Sequence, residues 1–275
     1  MAEAVNLSQS VRTNLLTLQR TSDLISTTQT RLSTGKKVNS AIDDAPAFFT
    51  ARALSNSASD LDSLKSNIDL AISTIQSAID GIDAITELVN QAKGLASNAK
   101  ATGDTNERST LAVQFNELLS QIDSLANDSS FNGTNLLQAS PDNLAVEFNS
   151  ANTSNLTITG LDATTASTGI NIAVAANNFG LNANIDTALT AISSALTTLR
   201  SNASTMGSNN TILSTRLNFT ENLVNTLEGG EGKLTLADLN EESANLLALQ
   251  TRQQLGINSL ALAAQSERSI LALFG

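Results

Sequence analysis

The feature that most restricts the fold of this sequence is a heptad repeat of small and aliphatic residues between Leu61 and Ala92. One row repeats every seven residues, and a second row follows it three positions later. The repeat covers more than four heptads, which is typical of a coiled-coil helix because it places one continuous apolar stripe along a face. It predicts a single long helix from about Pro46 to Lys100. The rows are Leu61, Ile68, Ile75, Ile82 and Val89, and Leu64, Ala71, Ala78, Ile85 and Ala92.

Similar patterns predict further helices before and after this one. A second helix is expected over about 106–127, and a third and longest helix from Ile185 to the glycine-rich run at 229–232, which is expected to end it. The second has an expected seam of Leu111, Leu118, Leu125, Phe115 and Ile122. The third has two expected rows, which are Ile185, Ile192, Leu199, Met206, Leu213, Thr220 and Leu227, and Leu189, Leu196, Ala203, Asn210, Leu217 and Val224.

Both ends of the chain also carry a helical pattern with one apolar face. Because an isolated amphipathic helix is marginal in water, the two ends are expected to pair with each other or with neighbouring molecules. These faces predict the contacts of a polymer interface, and their residues are Val11, Leu18, Ile25 and Leu32 at the start and Leu246, Leu249, Leu260, Ile270 and Phe274 at the finish.

Between about 129 and 184 the helical period is absent. Alternating runs at Leu144–Phe148 and Leu156–Thr159, together with the turn dipeptide Asn132-Gly133, predict one or two β-hairpins. The expected fold class is mostly α, a long antiparallel coiled-coil rod with a small hairpin region in the middle of the chain. The expected domains are a central bundle at 45–232 and a terminal unit built from 1–44 and 233–275.

Composition removes most enzyme chemistry, because the chain has no Cys, His, Trp or Tyr. Disulfides, Cys/His zinc sites and Ser-His pairs are therefore excluded. We expect no catalytic, cofactor or metal site, although a carboxylate-dependent cell-wall hydrolase stays as a distant alternative. A net charge of −11 argues against nucleic acid as a partner. The sequence also lacks an apolar run long enough to predict a membrane span.

Four short motifs allow a chemical and a structural interpretation. Asp43-Asp44 fits a magnesium or acid-base pair, but a helix cap is preferred. Lys36-Lys37 fits an anion site, but a solvated turn is preferred. Gly229–Lys233 lacks the Gly-Lys-Ser/Thr ending of a phosphate loop, which favours a hinge. Gln253-Gln254 with Gly256 is either a weak helical turn or a close-packing site in the polymer, and the sequence does not decide between them.

Two long motifs near the ends of the chain resemble those of bacterial flagellins. The first runs from Arg31 to Pro46, and the second comprises residues 237–244, 249–256 and 269–274. Phe131-Asn-Gly133 is a further match, so the resemblance extends over the whole chain, with little sequence for variable outer domains. The motif residues singled out are Arg31, Leu32, Gly35, Asn39, Asp43, Asp44, Gln253, Gln254 and Gly256.

This resemblance implies a structural subunit that polymerises through its terminal helices into the flagellar filament for swimming. The implied partners are further copies of the chain, hook-associated and cap proteins, an export chaperone on about 234–275, and the flagellar type III export apparatus. The implied location is the extracellular filament, which agrees with a start that lacks the pattern of a cleaved secretory signal. The hook-filament junction protein is the alternative within the same class, since its ends resemble those of flagellin.

The resemblance also implies a degenerate receptor site. In the family, an innate Toll-like receptor docks on the first central helix at an Arg-Val-Arg-Glu-Leu-Ala type stretch, and here Gln91 and Gly94 replace an Arg and a Glu of that motif. Leu95 is kept, and Gln114 stands on the next helix where an acid is usual. The expectation is poor receptor activation, because charge-assisted contacts are lost.

Overall fold

The computed structural model describes residues 9–274, and from residue 267 onward it describes a side chain only at Ser269. Two compact units form: one contains residues up to Ser57 together with those from Thr226, and the other is Ala58–Asn225. The helices are α1 (Gln9–Thr34), α2 (Ala45–Ala101), α3 (Thr105–Asp128), α4 (Asn182–Thr235) and α5 (Leu239–Phe274). Between α3 and α4 lie β1 (Ser130–Phe131), β2 (Thr134–Asn135), β3 (Asn143–Glu147), β4 (Asn155–Thr159) and a short turn at Ala176–Phe179.

The long second helix is confirmed to within a residue at each end. Its predicted stripe forms the centre of the Ala58–Asn225 core: both rows are buried except Leu61, which is half-buried. Asp44 caps the helix by accepting the Ala47 N–H at 3.0 Å, one of the donors that the first turn leaves unpaired.

In this unit α2 and α4 are antiparallel. Lys65 Nζ lies 3.9 Å from Glu221 Oε1, whereas Lys100 Nζ lies 2.6 Å from Asp186 Oδ1. Exposed ion pairs of this kind contribute little free energy, so the apolar rows hold the helices together. The first predicted row on α4 is buried from Ile185 to Thr220 and half-buried at Leu227. In the second row Leu196 and Val224 are buried and the other residues are half-buried.

The predicted seam of α3 is wrong by one residue for one of its rows. Phe115 and Ile122 are fully buried as expected, but their partners in the core are Ala112, Leu119 and Ala126. The predicted row, Leu111, Leu118 and Leu125, is only half-buried at the edge. Small alanines at the centre let α3 lie close to its neighbours, since the distance between helices depends on the side chains at the contact.

The expected end of α4 at the glycine run and the hinge expected at Gly229–Lys233 are also wrong, because the helix continues to Thr235. With 54 residues it is also shorter than α2, which has 57, although it was expected to be the longest helix. Glycine in a helix interior costs only about 1 kcal/mol relative to alanine, and local packing offsets that cost. A Cβ at Gly230 would lie 3.3 Å from Leu54 Cδ1, so the helix is closely packed there. Lys36 Nζ lies 3.6 Å from Glu231 Oε1 in the same turn.

Two antiparallel hairpins confirm the predicted β region. Asn132 (φ 50°) and Gly133 (φ 81°) form the two-residue turn between β1 and β2, as expected for an Asn-Gly hairpin. In the second hairpin Val146 pairs with Leu156 and Leu144 with Ile158, and Val146 and Ile158 are buried.

Asn135 organises this region, although the sequence analysis did not identify it. Its amide Nδ2 donates to the carbonyls of Ala126 (3.0 Å) and Asn127 (2.8 Å), which are orphan acceptors at the end of α3. Its Oδ1 accepts the N–H groups of Leu137 (2.7 Å) and Gln138 (3.1 Å). Only 4% of Asn135 is exposed, so its side chain satisfies four backbone groups inside the protein.

We predict that Asn135→Ala lowers the free energy of unfolding by about 2 to 4 kcal/mol, because buried backbone groups lose their partners. Urea unfolding followed by circular dichroism measures the change. The control is Asn127→Ala, an exposed neighbour, which should change stability by less than about 0.5 kcal/mol. Equal effects of both variants would contradict the role assigned to Asn135.

Candidate functional site: the paired terminal helices

Helices α1 and α5 pack against each other as an antiparallel pair. Arg31, near the end of α1, reaches Glu242 near the start of α5, with Nη1 and Oε1 3.0 Å apart. Further along the pair, Gly256 lies against Leu18: a Cβ at this glycine would be 3.4 Å from Leu18 Cδ1. The expected pairing of the two ends therefore takes place within one chain. The described residues of the predicted polymer interface lie in this pair, so their contact with other copies stays a prediction.

The contact face of α5 follows a heptad seam. Its less exposed residues alternate at spacings of three and four, and Gln253 and Gly256 belong to this seam while Gln254 is exposed. Gly256 packs closely against Leu18 within the chain, and a close-packing role in the polymer stays a prediction. The seam residues are Glu242, Leu246, Leu249, Gln253, Gly256, Leu260 and Ala263.

The contact face of α1 is half polar. Val11 is buried and Leu18, Ile25 and Leu32 are half-buried, as the apolar row predicts. The second row consists of Asn14, Thr21 and Thr28, and both threonines are buried. A polar row reduces the apolar area that the pair buries, and so its stability. The side chains of Ile270 and Phe274 lie outside the described residues.

The Arg31–Glu242 ion pair lies at the start of this seam. Glu242 is only 8% exposed, and burying a carboxylate without a partner costs free energy. Arg31 supplies that partner and also belongs to the family motif. A misaligned pairing of α1 and α5 would leave Glu242 buried without its cation, so the ion pair selects the observed register.

The connections next to the pair are joined by backbone hydrogen bonds. Gly35 adopts φ +69° and donates its N–H to the Arg31 carbonyl at 2.8 Å, which ends α1 in the manner of a glycine C-cap. Its own carbonyl accepts the Ala237 N–H at 2.9 Å. Lys37 Nζ donates to the Lys233 carbonyl at 3.1 Å, in the last turn of α4, where a cation is favourable. This geometry supports the structural interpretation of the two lysines.

Asp43 holds the turn before α2. One of its carboxylate oxygens accepts the N–H groups of Asn39 (3.0 Å) and Ser40 (2.9 Å) and the Ser40 hydroxyl (3.1 Å). These hydrogen bonds favour the charged form and hold the pKa of Asp43 below its ordinary value. Asp44 is the α2 cap, so both carboxylates have structural partners. Among the side chains that the structure describes, no three acidic groups are clustered in a way that would bind a metal ion.

Other apolar side chains of the pair point away from the seam. Leu247, Leu255 and Leu262 are 67%, 64% and 69% exposed. At 100° per residue they lie on the side of α5 opposite to the seam. On α1, Leu15, Leu16 and Leu24 are also exposed. These exposed leucines were not predicted, because only the apolar face at heptad spacing was followed in each terminal helix. Leucines outside that face would have indicated a second apolar surface.

The three receptor-site equivalents come together in the Ala58–Asn225 unit. Gln91, Leu95 and Gln114 line a groove of about 690 Å³ between α2 and α3. Leu95 and Leu118 contribute apolar surface to the lining, and four of the other lining residues carry amide side chains. The other lining residues are Gly94, Asn98, Glu117 and Gln121.

Long apolar seams and uncovered leucines define the class of this molecule as a helical structural protein. The chain matches the bacterial flagellin N-terminal helical region over residues 5–142 and the bacterial flagellin C-terminal helical region over residues 189–274. It is 34% identical to Flagellin FljK of Caulobacter vibrioides, over 98% of each chain. It is 29% identical to a flagellin of Brucella melitensis, over 96% of each chain.

The chain belongs to the bacterial flagellin family, which confirms the resemblance of its two terminal motifs. It is a structural subunit of the flagellar filament and assembles with copies of itself. The crystal structure of Bacillus cereus flagellin superposes with a TM-score of 0.48 at 19% identity, covering 56% of this chain and 88% of that one. None of the helices within residues 9–274 has the length and apolar character needed to cross a membrane.

We predict that the turn around Asp43 loosens in acid. Because the pKa of Asp43 is lowered in the folded turn, its contribution is complete above the ordinary aspartate range and is lost as the pH falls through the lowered pKa. Amide shifts of Asn39 and Ser40, followed by NMR from about pH 6 to about pH 2, should show this transition. Asp43→Asn should remove it, and a transition that persists in the variant would contradict the assignment.

Proposed function

We propose that the outward leucines of α1 and α5 are the contacts through which filament subunits bind one another. The observation that carries the proposal is the exposure of Leu247, Leu255 and Leu262 opposite the seam. A helix with apolar residues on both faces belongs in the interior of a larger assembly. In a filament, further copies of the chain supply that interior.

Energetics support this assignment. Fully burying one leucine side chain contributes about 1.5 to 3 kcal/mol, so several leucines per subunit give a substantial driving force. The contact joins different patches of successive subunits, and such heterologous contacts propagate a helical filament instead of closing a ring. The half-polar seam keeps the isolated pair weak, so binding between subunits also stabilises the pair.

We further propose the domain arrangement expected from the sequence. Residues 1–44 and 233–275 form the inner tube of the filament, with the seam residues holding each pair together, and 45–232 forms the next shell. The filament lies outside the cell and serves swimming. Hook-associated and cap proteins bind at its ends, and the type III apparatus exports the chain. An export chaperone covers about 234–275, where α5 exposes leucines that need protection before assembly.

The alternatives are less well supported. A hook-filament junction protein has similar ends, but the matched relatives named above are flagellins; abundance in sheared cell-surface material distinguishes the two. The cell-wall hydrolase needs paired carboxylates free for catalysis. Asp43 and Asp44 instead accept backbone hydrogen bonds, and Asp238 does the same at the start of α5, accepting the Asn240 N–H at 2.9 Å.

We predict that Leu255→Asp blocks polymerisation without unfolding the monomer. The new charge faces solvent in the free chain but must be desolvated between subunits. The critical concentration for seeded polymerisation should rise at least about tenfold, which corresponds to about 1.4 kcal/mol, while monomer melting is unchanged. Sedimentation and electron microscopy measure assembly.

Two further variants control this experiment. Ser150→Asp, in the exposed turn between β3 and β4, adds the same charge and should polymerise normally. Leu260→Asp lies in the seam and should weaken both monomer melting and assembly. Normal filaments from Leu255→Asp would refute the proposed interface.

We also propose that the α2–α3 groove is a weakened receptor surface. Its lining by Gln91, Gly94 and Gln114 gives amide and glycine where the family motif has charged groups. Hydrogen bonds to charged groups contribute about 1.5 to 3 kcal/mol each. The unmodified chain should therefore bind the receptor weakly.

We predict that the triple variant Gln91→Arg, Gly94→Glu, Gln114→Glu signals at least about tenfold more strongly than the unmodified chain in a Toll-like receptor reporter assay. Gln121→Glu, which adds a charge elsewhere in the groove, should leave signalling low. Full-strength signalling by the unmodified chain would contradict the proposal that the amide lining weakens receptor binding.

A further inference from the structure

Ile42 is the most exposed large apolar side chain among the described residues. Its exposed fraction is 96%, compared with 69% for Leu262. It lies in the connection between α1 and α2, in a turn closed by a 3.2 Å hydrogen bond from the Asp43 N–H to the Ser40 carbonyl. Polar residues or glycine are the ordinary choice at the centre of such turns, so a fully displayed isoleucine needs another explanation.

Hydrogen bonds on both sides of the turn fix the backbone position of Ile42. The Asp43 carboxylate holds the backbone of Asn39 and Ser40 on one side of the turn, and Asp44 caps α2 on the other. Asn39 Nδ2 also donates to Thr34 Oγ1 at 2.9 Å, which ties the turn to the end of α1. A residue whose backbone is already held in place loses little backbone entropy when a partner covers it, which favours binding.

We propose that Ile42 is a subunit contact, covered by a second copy of this chain in the filament. The chain assembles with itself, so its own copies are the partner present at every surface of the polymer. The turn belongs to the same compact unit as the α1–α5 pair, whose outward leucines we assign to subunit contacts. The inference rests on that proposed interface and extends it to a residue outside the terminal helices.

Cysteine labelling tests the proposal directly, because the chain has no cysteine of its own. Ile42→Cys and Ser150→Cys each place one thiol at an exposed position. In monomers both should react quickly with a maleimide. In filaments, labelling at position 42 should slow at least about tenfold relative to position 150. Equal labelling at the two positions in filaments would overturn the proposal.

A second variant series measures the energetic effect. Ile42→Ser should leave monomer melting unchanged but raise the critical concentration at least about tenfold, and Ile42→Leu should polymerise nearly as the unmodified chain does. Unchanged assembly of Ile42→Ser would refute the contact. If Leu255→Asp blocks assembly while Ile42→Ser does not, the proposed interface stands and only the extension to Ile42 fails. If Leu255→Asp assembles normally while the thiol at position 42 is protected from labelling in filaments, the contact at Ile42 stands and the proposed leucine interface fails.

Discussion

The structure depends on one interaction, the burial of a narrow apolar stripe between antiparallel helices. In the Ala58–Asn225 unit the stripe is continuous, and residues such as Ile68, Ile75 and Phe115 are fully buried. The α1–α5 pair has the same geometry, but one of its rows is polar, because Thr21 and Thr28 are buried there in place of apolar residues. The first seam stabilises its own unit, whereas the second buries less apolar area, and we propose that assembly adds to its stability.

Polar groups at the ends of the helices determine how these seams are arranged. Gly35 ends α1, Asp44 starts α2 and Asn135 satisfies the last carbonyls of α3. Each gives hydrogen-bond partners to backbone groups that a helix leaves unpaired. Four of the nine motif residues, Gly35, Asn39, Asp43 and Asp44, end a helix or hold a turn. The turn held by Asp43 displays Ile42 to solvent.

The apolar side chains that the fold leaves exposed indicate how a chain without Cys or His can act. A monomer that exposes Leu247, Leu255 and Leu262 carries apolar area that only further molecules remove from water. We propose that those molecules are further copies of the chain, because its family forms filaments. In that proposal the seam holds the α1–α5 pair together and the outward leucines contact neighbouring subunits.

The sequence by itself determined what is local and periodic. Heptads located α2, the buried row of α4 and the helical ends; Asn-Gly located the first hairpin; and Asp44 was recognisable as a cap. Tertiary structure decided what depends on neighbours: the row Ala112–Leu119–Ala126 faces the core, α4 passes through its glycines, and Asn135 becomes a hub of four hydrogen bonds. Periodicity states that a helix has an apolar face, but only packing against partners selects which rows are covered, because burial is a property of the neighbours as well as of the residue.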